Sequence, residues 1–172
     1  QYFLEPGDPR VRDELAKLVE EIVGAYPELD GIQFDYIRYP DTKPNYGHSE
    51  INVARFRKAT GLVGFSDKNK AGQDWKRRQV TYLLGQLVKK ARSLRPDIQV
   101  SATGCMPYLR AYYEAYQDWP SWVNDGTVDF VTLMNYSTDV KEYDRWIVNA
   151  KARVKDFSKI NIGLGSYKSS GS

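Results

Sequence analysis

The chain has 172 residues, 41% of them hydrophobic and 27% charged, which suits a folded globular unit and sets an expectation of one domain. Its net charge of +3 arises from both signs scattered along the sequence, so the clustered basic face of a nucleic-acid binder is missing and no such partner is expected. The one cysteine, Cys105, excludes an internal disulfide framework, and no apolar run approaches the roughly 20 residues of a membrane span.

Asp8 followed by Pro9 is a helix-start signal, and Leu15, Leu18, Val19, Ile22 and Val23 then recur at helical spacing as far as Pro27. Asp30 to Tyr36 reads as a short strand. A long polar connection to Gln73 follows, with one helix from Ile51 to Thr60 stopped by Gly61. Val80, Leu83, Leu84, Leu87, Val88, Ala91 and Leu94 mark a strong helix ending before Pro96. In "DIQVSATG", Ile98, Val100 and Ala102 alternate with Gln99, Ser101 and Thr103, the pattern of a second strand. An aromatic helical stretch from Arg110 to Asn124, interrupted or kinked at Pro120, leads through the turn at Asp125-Gly126 into a third strand, "VDFVTLMNY". A helix carrying Tyr143, Trp146, Ile147, Ala150 and Val154 and a fourth strand, "INIGLG", complete the series.

Strands alternating with amphipathic helices predict parallel βαβ units and hence an α/β fold. Four units fit either a small open sheet or about half of a (β/α)8 barrel, since a full barrel takes about 250 residues. The start at Gln1 and the closing "KSSGS" read as an excerpt of a longer protein and favour the half barrel. In both architectures ligands sit beyond the carboxyl ends of the strands.

That placement singles out Asp35. Side chains alternate along a strand, so Ile32, Phe34 and Tyr36 are expected against the helices, with Gln33, Asp35 and Ile37 on the opposite face. A carboxylate there is solvated, paired or used. The alternative to a functional role is a buried ion pair with Arg38, Arg77 or Arg78. Short glycine turns at "GDPR" and "GLGS" match no phosphate cradle, and neither zinc spacing nor a calcium loop occurs, so no nucleotide, other cofactor or metal is expected.

"YFLEPGDPRVRDELAKLVEEIVGAYPELDGIQFDYIRYP", "DWKRRQV" and "WPSWVNDGTVDFVTLMNY" together resemble the family-10-like glycoside hydrolases, the YddW-type lipoprotein family. The resemblance covers most of the chain. It implies a (β/α)8 TIM barrel of which residues 1–172 form part of a single catalytic domain with about four parallel strands, approximately the fourth to the seventh. It also implies an extracytoplasmic location, a lipid anchor upstream, and a cell-surface or cell-wall polysaccharide substrate, peptidoglycan strands being favoured. A more distant likeness runs to the family 18 chitinases, whose D-G-x-D-x-D-x-E strand has Gln33 here at the middle acid, Asp35 at the third, and Ile37 in place of the proton-donating glutamate. Their M-x-Y-D motif ends here in Ser137.

Glycoside hydrolysis ordinarily uses two carboxyl groups, or one with a participating acetamide. Asp35 is the expected catalytic carboxylate. Asp41, Glu50, His48 and Asp139 are weaker candidates for a second group. Sugar rings pack their C–H faces on aromatic rings, which makes Tyr36, Tyr39, Tyr108, Trp119, Trp122 and Tyr136 candidate platforms or, equally, packing residues. Arg38 is expected to meet a carboxylate of the ligand or of the protein, and Asn135 a sugar hydroxyl or acetamide unless strand parity turns it to the helices. A glycan-binding barrel without catalysis is the rival reading, and the missing acid at Ile37 is its argument.

Overall fold

The computed structural model describes residues 3–40 and 46–168. Asp41 lies outside them. Helix α1 (Pro9–Ala25) opens where expected: the Asp8 side chain accepts from the Arg10 N–H at 2.9 Å and pairs with the Arg10 guanidinium, which holds the Asp8 carboxyl below the usual carboxylate range. Asp8→Ala is expected to cost about 1 kcal/mol, read as a lowered urea midpoint.

Strand β1 (Gly31–Phe34) leads to α2 (Glu50–Thr60), which ends on Gly61 in the left-handed conformation. Helix α3 (Lys70–Leu94) begins some ten residues before its strong apolar repeat, because the Asn69 side chain caps it and Gly72 lets the backbone approach the Ser66 carbonyl, where a Cβ would sit 2.1 Å away. β2 (Gln99–Cys105) follows. The aromatic stretch after it is interrupted, as expected, but ahead of Pro120: it forms α4 (Tyr108–Tyr113) and α5 (Trp119–Asn124), parted by Tyr116 at φ 53°, with Pro120 in the first turn of α5. β3 (Phe130–Asn135), α6 (Val140–Lys151) and β4 (Ile160–Leu164) complete the order.

The sheet is four-stranded, in the order β1-β2-β3-β4, and every pairing is parallel. It is open, with β1 and β4 as its edges. Ile32, Phe34, Val100, Ala102, Val131, Leu133 and Ile160 share the face that packs on the helices; all but the partly buried Ile32 belong to one buried cluster with Val80, Leu84, Leu87 and Trp122. The other face carries Gln33, Ser101, Thr103, Thr132, Met134 and Asn161. It is therefore polar where the first is apolar. Alternation of this kind on a parallel sheet means that the second face is not a packed core like the first.

Two buried cations hold the loops beneath this rim. The Arg12 guanidinium donates to the Pro6 carbonyl and to Gln79, and burial pushes it down to about 10. Lys76 donates to the Tyr46 carbonyl and pairs with Asp67 at 2.6 Å among the rings of Tyr39, Tyr116 and Phe65, and burial lowers its ammonium.

A candidate active site at the carboxyl rim of the sheet

Asp35 follows the last residue of β1 and continues its alternation, so its carboxylate stands on the polar face at the carboxyl end of the strand. It is exposed. Oδ1 accepts twice, from the Thr103 hydroxyl at 2.6 Å and from the Tyr36 N–H at 2.7 Å. Among the described residues no cation pairs with it. The guanidinium of Arg77 is held elsewhere, by Asp74 at 2.6 Å and the Tyr112 carbonyl, and that of Arg78 lies over Trp75. Among the described residues, a buried ion pair of Asp35 with Arg77 or Arg78 is thus not found.

One layer deeper, Gln33 Oε1 accepts from Ser101 at 3.2 Å and Thr132 at 3.1 Å, tying three strands together. Register places Gln33 beside Ser101, which puts position 35 level with Thr103. The polar side of "DIQVSATG" carried that information, although the sequence reading gave Thr103 no role. Cys105 comes next on the same face, buried, with Asp35 and Arg38 near enough to act on its thiol electrostatically; burial pushes that thiol up.

Tyr36 departs from strand parity. Its φ of 58° is left-handed, so the chain turns there; Ile37 instead of Tyr36 enters the core, and the Tyr36 ring is 55% exposed. The Arg38 guanidinium lies over that ring at 4.3 Å. A bulky residue in this conformation stores strain, a feature that clusters at ligand sites. Tyr36→Gly is accordingly expected to be more stable than Tyr36→Ala by about 1 kcal/mol, the reverse of the ordinary order, when the two are compared by urea unfolding.

Five candidate ligand contacts are placed elsewhere. Tyr39 is 2% exposed and donates its hydroxyl to Glu5 at 2.8 Å, so it packs below the rim. Trp119 is fully buried, as is Trp122, whose indole donates to Thr81. Tyr108 donates to Asp118 at 2.8 Å and lies edge-on to Trp119 beneath Arg153, part of the helix layer. Asn135 is 1% exposed on the helix side of β3 and donates to the Tyr143 carbonyl, as its odd position relative to Thr132 and Met134 requires. Strand parity decides against it.

Tyr136 does reach the rim. With Met106, Met134, Ser137, Glu142 and Trp146 it lines a hollow of about 340 Å³ beyond the ends of β2 and β3, a volume in the range of small-ligand clefts. Glu142 is a carboxylate that sequence reasoning missed: it accepts from Ser137 at 2.8 Å in the first turn of α6. Asp139 caps that helix by accepting from the Glu142 N–H, which commits its Oδ1. His48 meets Asp67 at 3.1 Å and Phe65, well back in the loop layer, and Glu50 is exposed in the first turn of α2.

Buttressing all of this is Gln117, fully buried between α4 and α5. Its amide donates to the carbonyls of Ile37 and Thr103, both at 3.1 Å, and accepts from the Cys105 N–H at 2.8 Å. The sequence places Gln117 in a helical stretch with nothing to mark it as inward.

A family model described as glycosyl hydrolase-like 10 matches residues 1–170. The "Glycosyl hydrolase DigH" of Escherichia coli (strain K12) is 27% identical over 191 aligned residues, covering 98% of this chain and 40% of that protein. The protein of the same name from E. coli O6:H1 (strain CFT073) gives the same identity and coverage. "Glycosyl hydrolase YngK" of Bacillus subtilis (strain 168) is 24% identical over 154 residues, 79% of this chain and 28% of that protein. The chain thus spans two fifths or less of the length of these relatives.

Proposed function

The chain belongs to the glycosyl hydrolase-like 10 family, and from that premise we propose that it is part of a glycoside hydrolase acting on a bacterial cell-surface or cell-wall polysaccharide, with peptidoglycan glycan strands as the favoured substrate. In this reading residues 1–172 form part of one (β/α)8 catalytic domain, and the open edges at β1 and β4 are where further strands pair. The protein works outside the cytoplasm, with a lipid anchor upstream.

The observation that carries the proposal is the state of Asp35: an exposed carboxylate at a strand's carboxyl end, held by two hydrogen bonds and without a cationic partner among the described residues. The oxocarbenium-like transition state of glycoside cleavage places positive charge on the sugar, and Asp35 stabilises it as nucleophile, as base, or by orienting an acetamide. Tyr36 and Tyr136 offer ring faces to the sugars and Arg38 a guanidinium to an acidic substituent.

Catalysis lost with the glycan still bound is the rival, and one observation favours it: Ile37, which stands where the chitinases carry their acid, is 8% exposed within the core. A proton donor must therefore come from another element. Incubating the full-length protein that contains this chain, and its Asp35→Asn form, with isolated glycan strands separates the readings. Product release by the first alone supports the hydrolase. Retention on the polymer by both, with no release by either, supports the binding module.

A further inference from the structure

We infer that Thr103 is a positioning residue for the reaction, holding Oδ1 of Asp35 together with the Tyr36 N–H so that Oδ2 alone is presented to the substrate. The inference rests on the hydrolase reading and narrows it to one oxygen.

Thr103 is 6% exposed, whereas the carboxylate it serves is open to solvent. Its hydroxyl has one proton, spent on Asp35 at 2.6 Å. The second donor to the same oxygen, the Tyr36 N–H at 2.7 Å, belongs to the left-handed residue. With both donors on Oδ1, a proton or a bond to carbon can be placed only on Oδ2. A carboxylate in this state is directed, not merely located.

The two donors are themselves fixed by one side chain. Gln117 donates to the Thr103 carbonyl on one flank and to the Ile37 carbonyl, just beyond Tyr36, on the other. Beneath them Gln33, itself exposed, accepts from Ser101 and Thr132 and so ties β1 to β2 and β3. A rigid chain thus runs from a fully buried amide to an exposed acid. Plain satisfaction of a buried hydroxyl would not require the partner to be solvent-exposed, nor a strained neighbour to share the same oxygen.

The test is steady-state cleavage of glycan strands by the full-length protein that contains this chain, carrying Thr103→Val or Thr103→Ser. Thr103→Val should lower kcat roughly 10²-fold, as small misplacements of a reacting group do, with KM unchanged. Thr103→Ser should restore most of it. A melting curve accompanies each variant, and should Thr103→Val fold poorly, Thr103→Ala against Thr103→Ser gives the same comparison. In parallel, the Thr103 hydroxyl proton should exchange slowly by NMR in the wild type and quickly in Asp35→Ala. Wild-type cleavage with Thr103→Val equally active overturns the inference and leaves the hydrolase reading standing. No cleavage by the wild type overturns both.

Discussion

Asp35→Asn is expected to lower glycan cleavage by the full-length protein that contains this chain on the order of 10³-fold while leaving retention on the polymer within about threefold. The amide has the size of the carboxylate and can still accept from Thr103 and from the Tyr36 N–H, so the local geometry survives. What disappears is the charge. An exposed side chain without an ion-pair partner among the described residues contributes little to folding, and the stability read by urea unfolding should change by less than about 0.5 kcal/mol. The pairing of a large rate effect with a small stability effect is the signature of a catalytic group. Reducing-end release, co-sedimentation with the polymer and urea unfolding read the three quantities, and equal release by both forms would move the chemistry away from Asp35.

Gln117→Leu carries the largest expected loss of stability, about 3 kcal/mol. The substitution fits the volume roughly but leaves the Cys105 N–H and the carbonyls of Ile37 and Thr103 without the partner they have now, in a place with no access to water. Each buried group so stranded costs roughly 1–3 kcal/mol, and partial relaxation keeps the total below the sum. Gln117→Glu separates charge from shape: the carboxylate can accept from Cys105 but cannot donate to either carbonyl. It should be at least as destabilised. Urea unfolding of both forms checks the result, and a change under about 1 kcal/mol for Gln117→Leu would mean that the strand ends are held by backbone pairing alone.

The legible part of this molecule is the part that depends on local periodicity. Alternation in "DIQVSATG" gives a strand with one apolar and one polar face, and the structure keeps both sets as read, Val100 and Ala102 toward the helices and Ser101 and Thr103 on the opposite face, where they too are buried. Asp8 and Pro9 start a helix because the cap needs only the next two residues. The same parity rule puts Asp35 on the polar face and turns Asn135 away from it. Applied consistently, it would also have found Thr103.

What the sequence by itself determined is therefore the parallel α/β order, the polar face of the sheet and the position of Asp35 on it, since period-two and period-3.6 patterns act over a few residues. Only the tertiary structure decided that Tyr36 turns outward in a left-handed bend, that Trp119 and Tyr39 are spent on packing, and that Gln117 points in to tie two strand ends. The reason is that aromatic and amide side chains suit a core, a rim or a ligand equally well. Which of these they meet is set by residues tens of positions away that close over them.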